Sequence, residues 1–226
     1  MEEKWLRTAA LLGADAVEKL KGSHVAVVGV GGVGSWCAEA LVRTGVGTLT
    51  LLDFDTVAAS NLNRQDAALV STLGAVKVDA MAERLRAIAP DVTLHLLPLR
   101  CDEAGRAALF DGKPDFVADC IDSVRDKCEL IEACTERGIA VVSSMGTGGK
   151  TDAQRLRLDD LAKTHTDGLA RAVRRELKKR GIAHLPVVWS DEEPKTESGK
   201  PGTVMWVPAS AGLLMAQHIV TELIKE

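Results

Sequence analysis

The segment Gly29-Val30-Gly31-Gly32-Val33-Gly34 follows the apolar run HVAVV and precedes a stretch with helical spacing. It fits the pattern G-x-G-x-x-G, and the acid Asp53 lies about 20 residues further on. Glycines at such spacing let the backbone close on phosphate oxygens, and the N-terminus of the next helix faces their charge. Gly29, Gly31, Gly32 and Gly34 are therefore candidate nucleotide contacts. The glycines alone do not separate the pyrophosphate of a dinucleotide from the phosphates of ATP.

The residues beyond them do. In LLDFDTVAASNLNRQ (51–65), Asp53 stands at a strand end where it can hold ribose hydroxyls under either reading, with Asp55 beside it. Asn61, Arg64, Gln65 and Lys77 bring donors and two fixed cations to the same crevice. A pyrophosphate cradled by backbone amides has little use for that much positive charge. A triphosphate attacked at its α-phosphorus needs it, because charge grows on the leaving pyrophosphate. Asp122, in ADCIDSVRDK (118–127), falls just past another strand end, where a Mg²⁺ ligand belongs. The site reads as one for ATP and Mg²⁺, with Arg64, Lys77 and Asp122 as its catalytic groups.

Nicotinamide chemistry fits poorly. The chain has no tyrosine, and none of its five histidines has a recognisable catalytic partner, so NAD is not expected. Five cysteines, at 37, 101, 120, 128 and 134, contain no C-x-x-C pair, so no zinc site is expected either. Such unpaired cysteines suit a reducing compartment. The N-terminal MEEKWLRTAALLG lacks the pattern of a secretory signal, and no run of about 18 apolar residues reads as a membrane span. A cytoplasmic location without membrane attachment is the expectation.

These residues must be held by regularly alternating elements. Val25–Val28, Thr48–Leu52, Val92–Leu97, Phe116–Ala118 and Ile139–Val142 read as strands. Between them, Gly32–Arg43, Ala75–Ile88, Glu103–Phe110 and Val124–Glu136 read as helices. The alternation predicts an α/β fold, a Rossmann-like, doubly wound and mostly parallel sheet with the glycine loop at its first crossover. At 226 residues, 46% hydrophobic and 27% charged, the chain suits a single domain over 1–226. Residues 1–145 form its nucleotide-binding core and 146–226 an extension on the substrate side that adds antiparallel strands and helices. In the extension, RLRLDDL (155–161) and Pro186–Trp189 read as strands, and Asp167–Arg180 as a helix. DEEPKTESGKPG (191–202) reads as a mobile loop, and Pro208 opens a last apolar helix.

The net charge of −4 argues against whole-surface attraction to polyanions, but it leaves room for one basic patch. Arg171, Arg174, Arg175 and Lys178 follow i, i+3, i+4, i+7 spacing and share a helix face opposite Leu169, Val173 and Leu177. Residues 171–180 carry a local charge of +5.

Taken together, Arg7, VGVGGVGS (28–35), GVGTLTLLDFDTV (45–57), SNLNRQ (60–65), Lys77 and DCIDS (119–123) resemble the ubiquitin-activating-like superfamily of adenylating enzymes. The resemblance implies that Asp53 binds ribose, that Asn61, Arg64 and Lys77 face the phosphates, and that Asp122 binds Mg²⁺. It also implies that Arg7 reaches across a homodimer to the partner's ATP. Within that superfamily, residues 146–177, VVWSDEEP (187–194) and VPASAGLLMA (207–216) look like the tRNA threonylcarbamoyladenosine dehydratase family. Members adenylate the carboxylate of threonylcarbamoyladenosine beside the anticodon, and the activated group closes into a ring. A tRNA substrate makes the basic helix face a phosphate-contacting stripe, with Trp189 and Trp206 as base-stacking candidates. A sulfur-transfer protein is a further partner that the resemblance allows. The alternative is an activator of a small sulfur-carrier protein's C-terminus, which uses the same adenylation. Such activators often bear C-x-x-C pairs and a later nucleophilic cysteine, and here no cysteine follows Cys134.

Overall fold

A computed structural model describes residues 2–195 and 202–225. Its frame is a seven-stranded sheet. The strands are β1 (His24–Val28), β2 (Thr48–Leu52), β3 (Thr93–Leu97), β4 (Phe116–Asp119), β5 (Ala140–Ser144), β6 (Leu156–Asp160) and β7 (Pro186–Ser190). Their order across the sheet is β3-β2-β1-β4-β5-β7-β6. β1, β2 and β4 are short apolar runs buried on both faces, as a parallel sheet with covered faces requires.

Eight α-helices occur among the described residues, most of them packed against the sheet. They are α1 (Leu6–Leu12), α2 (Ala14–Gly22), α3 (Gly34–Thr44), α4 (Lys77–Ile88), α5 (Glu103–Asp111), α6 (Val124–Arg137), α7 (Gly168–Lys179) and α8 (Trp206–Ile224). One face of the sheet packs against Leu20 of α2, Leu41 of α3, Met81 of α4 and Met215 of α8. The other packs against Leu109 of α5, Ile131 of α6 and Val173 of α7. Local signals end or start several of these helices. α6 opens under Ser123, whose Oγ accepts the Asp126 N–H, and α7 under Asp167, whose Oδ1 accepts the Ala170 N–H.

The structure departs from the sequence reading in three places. Helices α1 and α2 occupy a region where no element was expected. The last helix begins at Trp206 rather than Pro208, because a proline in the first helical turn forfeits no intrahelical hydrogen bond. The expected antiparallel addition is present as the pair β6–β7, and β7 also joins β5 in parallel, so the extension lengthens the parallel sheet before reversing it. By length and composition α8 also qualifies as a bilayer span, yet its buried face, Val207, Ala211, Met215 and Ile219, makes it a core helix. The loop expected over 191–202 lies partly outside the described residues.

Candidate functional site: a glycine-loop nucleotide crevice

At the carboxyl ends of β1, β2 and β4 a crevice of ≈380 Å³ opens. This is where ligands sit in open parallel sheets, at the point where strand order reverses. Here the order turns at β1, with β2 on one side and β4 on the other.

The four glycines divide into two kinds. Gly29 has φ +88°, and a Cβ there would lie 2.9 Å from the Cys120 carbonyl oxygen. A Cβ at Gly34 would lie 1.8 Å from the Gly29 carbonyl oxygen. Gly34 lets the loop fold onto its own helix and does not line the crevice, so it acts by packing and not by contact. Gly31 and Gly32 face the crevice, where added Cβ atoms would meet Gln65 at 3.8 Å and Pro208 and Arg64 at 3.3–3.4 Å.

β2 delivers Asp53, 7% exposed, to the crevice floor. Its Oδ2 accepts the Val30 N–H at 2.7 Å and its Oδ1 accepts the Asp55 N–H at 2.9 Å. The carboxylate therefore fastens the glycine loop to the end of β2, and each oxygen keeps a lone pair for a hydroxyl. The turn that follows carries Asn61, Arg64 and Gln65. Asn61 Oδ1 accepts the Ala58 N–H, leaving its amide nitrogen for the crevice. Arg64 donates through one guanidinium nitrogen to Ser60 O at 2.7 Å and Asn63 Oδ1 at 2.9 Å. Trp36 on α3 holds the Arg64 carbonyl at 2.9 Å. Lys77 begins α4, and its Nζ pairs with Asp55 Oδ2 at 2.9 Å; the lysine is 8% exposed and the aspartate 48%. Past β4, Asp122 lines the opposite wall and is exposed, with no hydrogen bond or ion pair among the described residues.

Thus Gly29, Gly31, Gly32, Asp53, Asp55, Asn61, Arg64, Gln65, Lys77 and Asp122 all line one crevice. Arg7 does not; it is exposed on α1. None of the five histidines lines it either. Cys120 reaches the wall, but its Sγ rests 3.8 Å from Met215 Sδ, and burial pushes its thiol well above the ordinary range. Burial likewise pushes Cys37 up to about 12, so neither offers a thiolate. Three metal-ligating side chains do not cluster anywhere among the described residues. A lone carboxylate suffices for Mg²⁺, which takes most of its oxygens from phosphates and water.

The sequence reading missed Lys127. It is wholly buried on α6, and its Nζ meets Asp119 Oδ2 at 2.7 Å, Ser143 Oγ at 3.0 Å and Ser144 O at 3.0 Å. Asp119 Oδ1 in turn accepts the Ile121 N–H. The network holds the chain next to Asp122. A lysine eight residues past a strand acid was the available signal. Phe54, which also lines the crevice, was missed as well; its ring carries the Arg100 guanidinium at 3.8 Å.

The basic stripe on α7 needs correcting. Arg174 donates to Leu161 O at 3.2 Å, to Thr164 O at 2.9 Å and to the Thr164 hydroxyl, so it fastens the helix to the preceding turn. Beyond it, Arg180 pairs with Glu132 and Lys179 with Glu176. Arg171, Arg175 and Lys178 are exposed and form no ion pair among the described residues. Trp189 is 3% exposed against His165, so it cannot stack on a base, whereas Trp206 is 54% exposed.

Known proteins are similar to this chain in sequence and fold. The tRNA threonylcarbamoyladenosine dehydratase of Bacillus subtilis (strain 168) is 40% identical over 245 residues, covering 100% of this chain and 96% of its own. tRNA threonylcarbamoyladenosine dehydratase 2 of Saccharomyces cerevisiae is 45% identical over 194 residues, 84% of this chain but only 43% of the yeast protein. The crystal structure of E. coli tRNA N6-threonylcarbamoyladenosine dehydratase in complex with ATP aligns with TM-score 0.92 at 36% identity, covering 98% of this chain and 94% of that one. Its complex with AMP aligns with TM-score 0.93. The model of the ThiF family matches residues 5–226, which takes in the glycine loop, the Asn61–Gln65 turn, Lys77 and the whole extension, and the chain belongs to that family.

Proposed function

We propose that this chain is an ATP-dependent tRNA threonylcarbamoyladenosine dehydratase, folded as one domain whose 146–226 extension meets the tRNA. One observation carries the reading: a ribose-type acid, Asp53, two cations, Arg64 and Lys77, and a free carboxylate, Asp122, converge on a crevice behind a glycine loop. No depressed-pKa thiol faces it. The solved E. coli relative carries ATP or AMP, and the relatives so named span this chain almost entirely.

In this reading a carboxylate oxygen of the modified nucleoside attacks the α-phosphorus of ATP. The bond to the β-phosphate oxygen breaks, and pyrophosphate leaves. An internal nucleophile then attacks the acyl carbon, AMP leaves, and the nucleoside has lost one water. Asp53 holds the ribose, and the Gly31–Gly32 backbone lets the phosphates approach. Arg64 and Lys77 stabilise charge growing on the pyrophosphate. Lys77 exchanges its half-exposed partner Asp55 for phosphate. Asp122 holds Mg²⁺, which when bound neutralises phosphate charge. Arg7, exposed on α1, serves the partner's site in a homodimer. The enzyme works in the cytoplasm.

The test is to incubate the protein with ATP and threonylcarbamoylated tRNA, then digest to nucleosides for mass spectrometry. Loss of one water is expected. An unchanged nucleoside, together with adenylation of a small sulfur-carrier protein, overturns the proposal.

A further inference from the structure

A second chamber of ≈330 Å³ adjoins the nucleotide crevice. The two share Arg64, Ile121, Asp122 and Thr147, and the chamber's remaining wall includes the turn Gly146–Gly148 after β5. A group entering the chamber therefore meets the same cation and the same carboxylate that face the phosphates.

The turn is shaped from behind by Lys150, which is 2% exposed. Its Nζ donates to Gly146 O at 2.7 Å, Asp167 Oδ2 at 2.6 Å and Ser190 O at 3.2 Å. An ammonium has three protons, and these three acceptors use them all. The ammonium thus fixes the Gly146 carbonyl. In a trans peptide the carbonyl and the following N–H point to opposite sides, and no cis bond occurs among the described residues. The Thr147 N–H is therefore turned away from the buried lysine. Thr147 lines both the chamber and the crevice, and its N–H has no acceptor among the described residues. An unpaired amide beside an arginine, at the junction of the two spaces, is a carboxylate-binding arrangement.

We infer that this chamber receives the carboxylate-bearing side group of the modified nucleoside, that the Thr147 N–H holds its non-attacking oxygen, and that Lys150 is the positioning residue that aims this N–H. The inference rests on the dehydratase reading above. During adenylation one carboxylate oxygen bonds to the α-phosphorus as pyrophosphate departs, and the other stays on the Thr147 N–H. When the ring closes, the same N–H meets the negative charge that develops on that oxygen before AMP leaves. Lys150 touches neither ATP nor nucleoside.

The decisive variant replaces Thr147 by its α-hydroxy acid, which turns the Gly146–Thr147 amide into an ester: the N–H is lost, every side chain is kept, and the Gly146 carbonyl becomes a somewhat weaker acceptor for Lys150. Turnover of threonylcarbamoylated tRNA should fall about 10²-fold, the scale for losing one oxyanion donor. The thermal shift produced by ATP should match that of the wild type, because the nucleotide crevice is intact. Lys150→Met should show the same split between lost turnover and retained ATP shift. Should that variant fail to fold, the ester still decides. An ester variant within about threefold of wild-type turnover overturns the subsite. So does one whose ATP shift falls along with its turnover, since the N–H would then be structural. A wild-type protein that leaves the nucleoside unchanged overturns the dehydratase reading itself, which separates the two failures.

Discussion

Lys127→Met isolates the buried pair beneath the site. Lys127 and Asp119 are both 0% exposed, and the pair sits within hydrogen bonds from Ser143 and to Ser144 O. Methionine keeps most of the lysine's length but removes its charge, so the Asp119 carboxylate is left buried with only the Ser143 hydroxyl and the Ile121 N–H. Breaking such a pair from one side costs about 3–5 kcal/mol, most of it the uncompensated charge. For a domain of this size each kcal/mol is worth about 2–4 °C, so the melting temperature should drop by roughly 6–20 °C. The double variant Lys127→Met/Asp119→Asn removes both charges and keeps acceptor and donor at position 119. It should melt well above the sum of the single losses, with a coupling of about 0.5–3 kcal/mol. Thermal unfolding of the wild type and the three variants measures the cycle. A Lys127→Met protein that melts within about 3 °C of wild type would refute the argument, and so would strict additivity.

Three further outcomes follow from the geometry. Gly31→Ala should keep the wild-type melting temperature and lose the ATP-induced shift, because its Cβ meets only Gln65 at 3.8 Å but stands in the crevice; Gly34→Ala, clashing with Gly29 O at 1.8 Å, should lose melting temperature first, and the reverse pattern refutes the division. Burial, and then the Glu39 carboxylate, push Asp66 up to about 7 from 3.8, so the folded state holds that proton more tightly than the unfolded chain does. The stabilisation it gives is complete below pH 3.8 and is lost as pH rises toward 7, so the melting difference between wild type and Asp66→Asn should decline over that range; a flat difference refutes it. Replacing Arg171, Arg175 and Lys178 together with Gln should lower the log–log salt slope of tRNA binding by about 0.7–0.9 per residue, whereas Arg174→Gln should lower the melting temperature; an unchanged slope moves the tRNA surface elsewhere.

The sheet and its crevice were legible because their signals are local. Apolar runs of strand length, a glycine loop and an acid at a strand end each need only a few neighbouring residues to be read. The α7 stripe shows the limit. Helical spacing placed Arg174 on a face with Arg171, Arg175 and Lys178, but it could not show that the turn at Leu161–Thr164 folds against it. Trp189 failed in the same way, since it is buried in the core beside Leu161 and Val173 and against His165, none of which its spacing reveals. Of the N-terminal helices, α1 buries none of its residues, and α2 buries only Ala16, Val17 and Leu20 within nine residues, too short a face to stand out.

Lysines make the same point about function. Lys77, Lys127 and Lys150 are all nearly inaccessible, and all are paired with an aspartate. Residue type and spacing do not rank them. Their partners do. Asp119 and Asp167 are 0% and 2% exposed, so pulling either lysine toward a ligand would strand a carboxylate in the core at a cost of several kcal/mol. Asp55 is 48% exposed, and water takes over when Lys77 turns to a phosphate, so that exchange costs little. A cation can serve a transient anion only if its resting partner can afford to be left. By that criterion Lys77 is the lysine able to turn to a phosphate in the proposed site, whereas Lys127 and Lys150 are held by their buried partners.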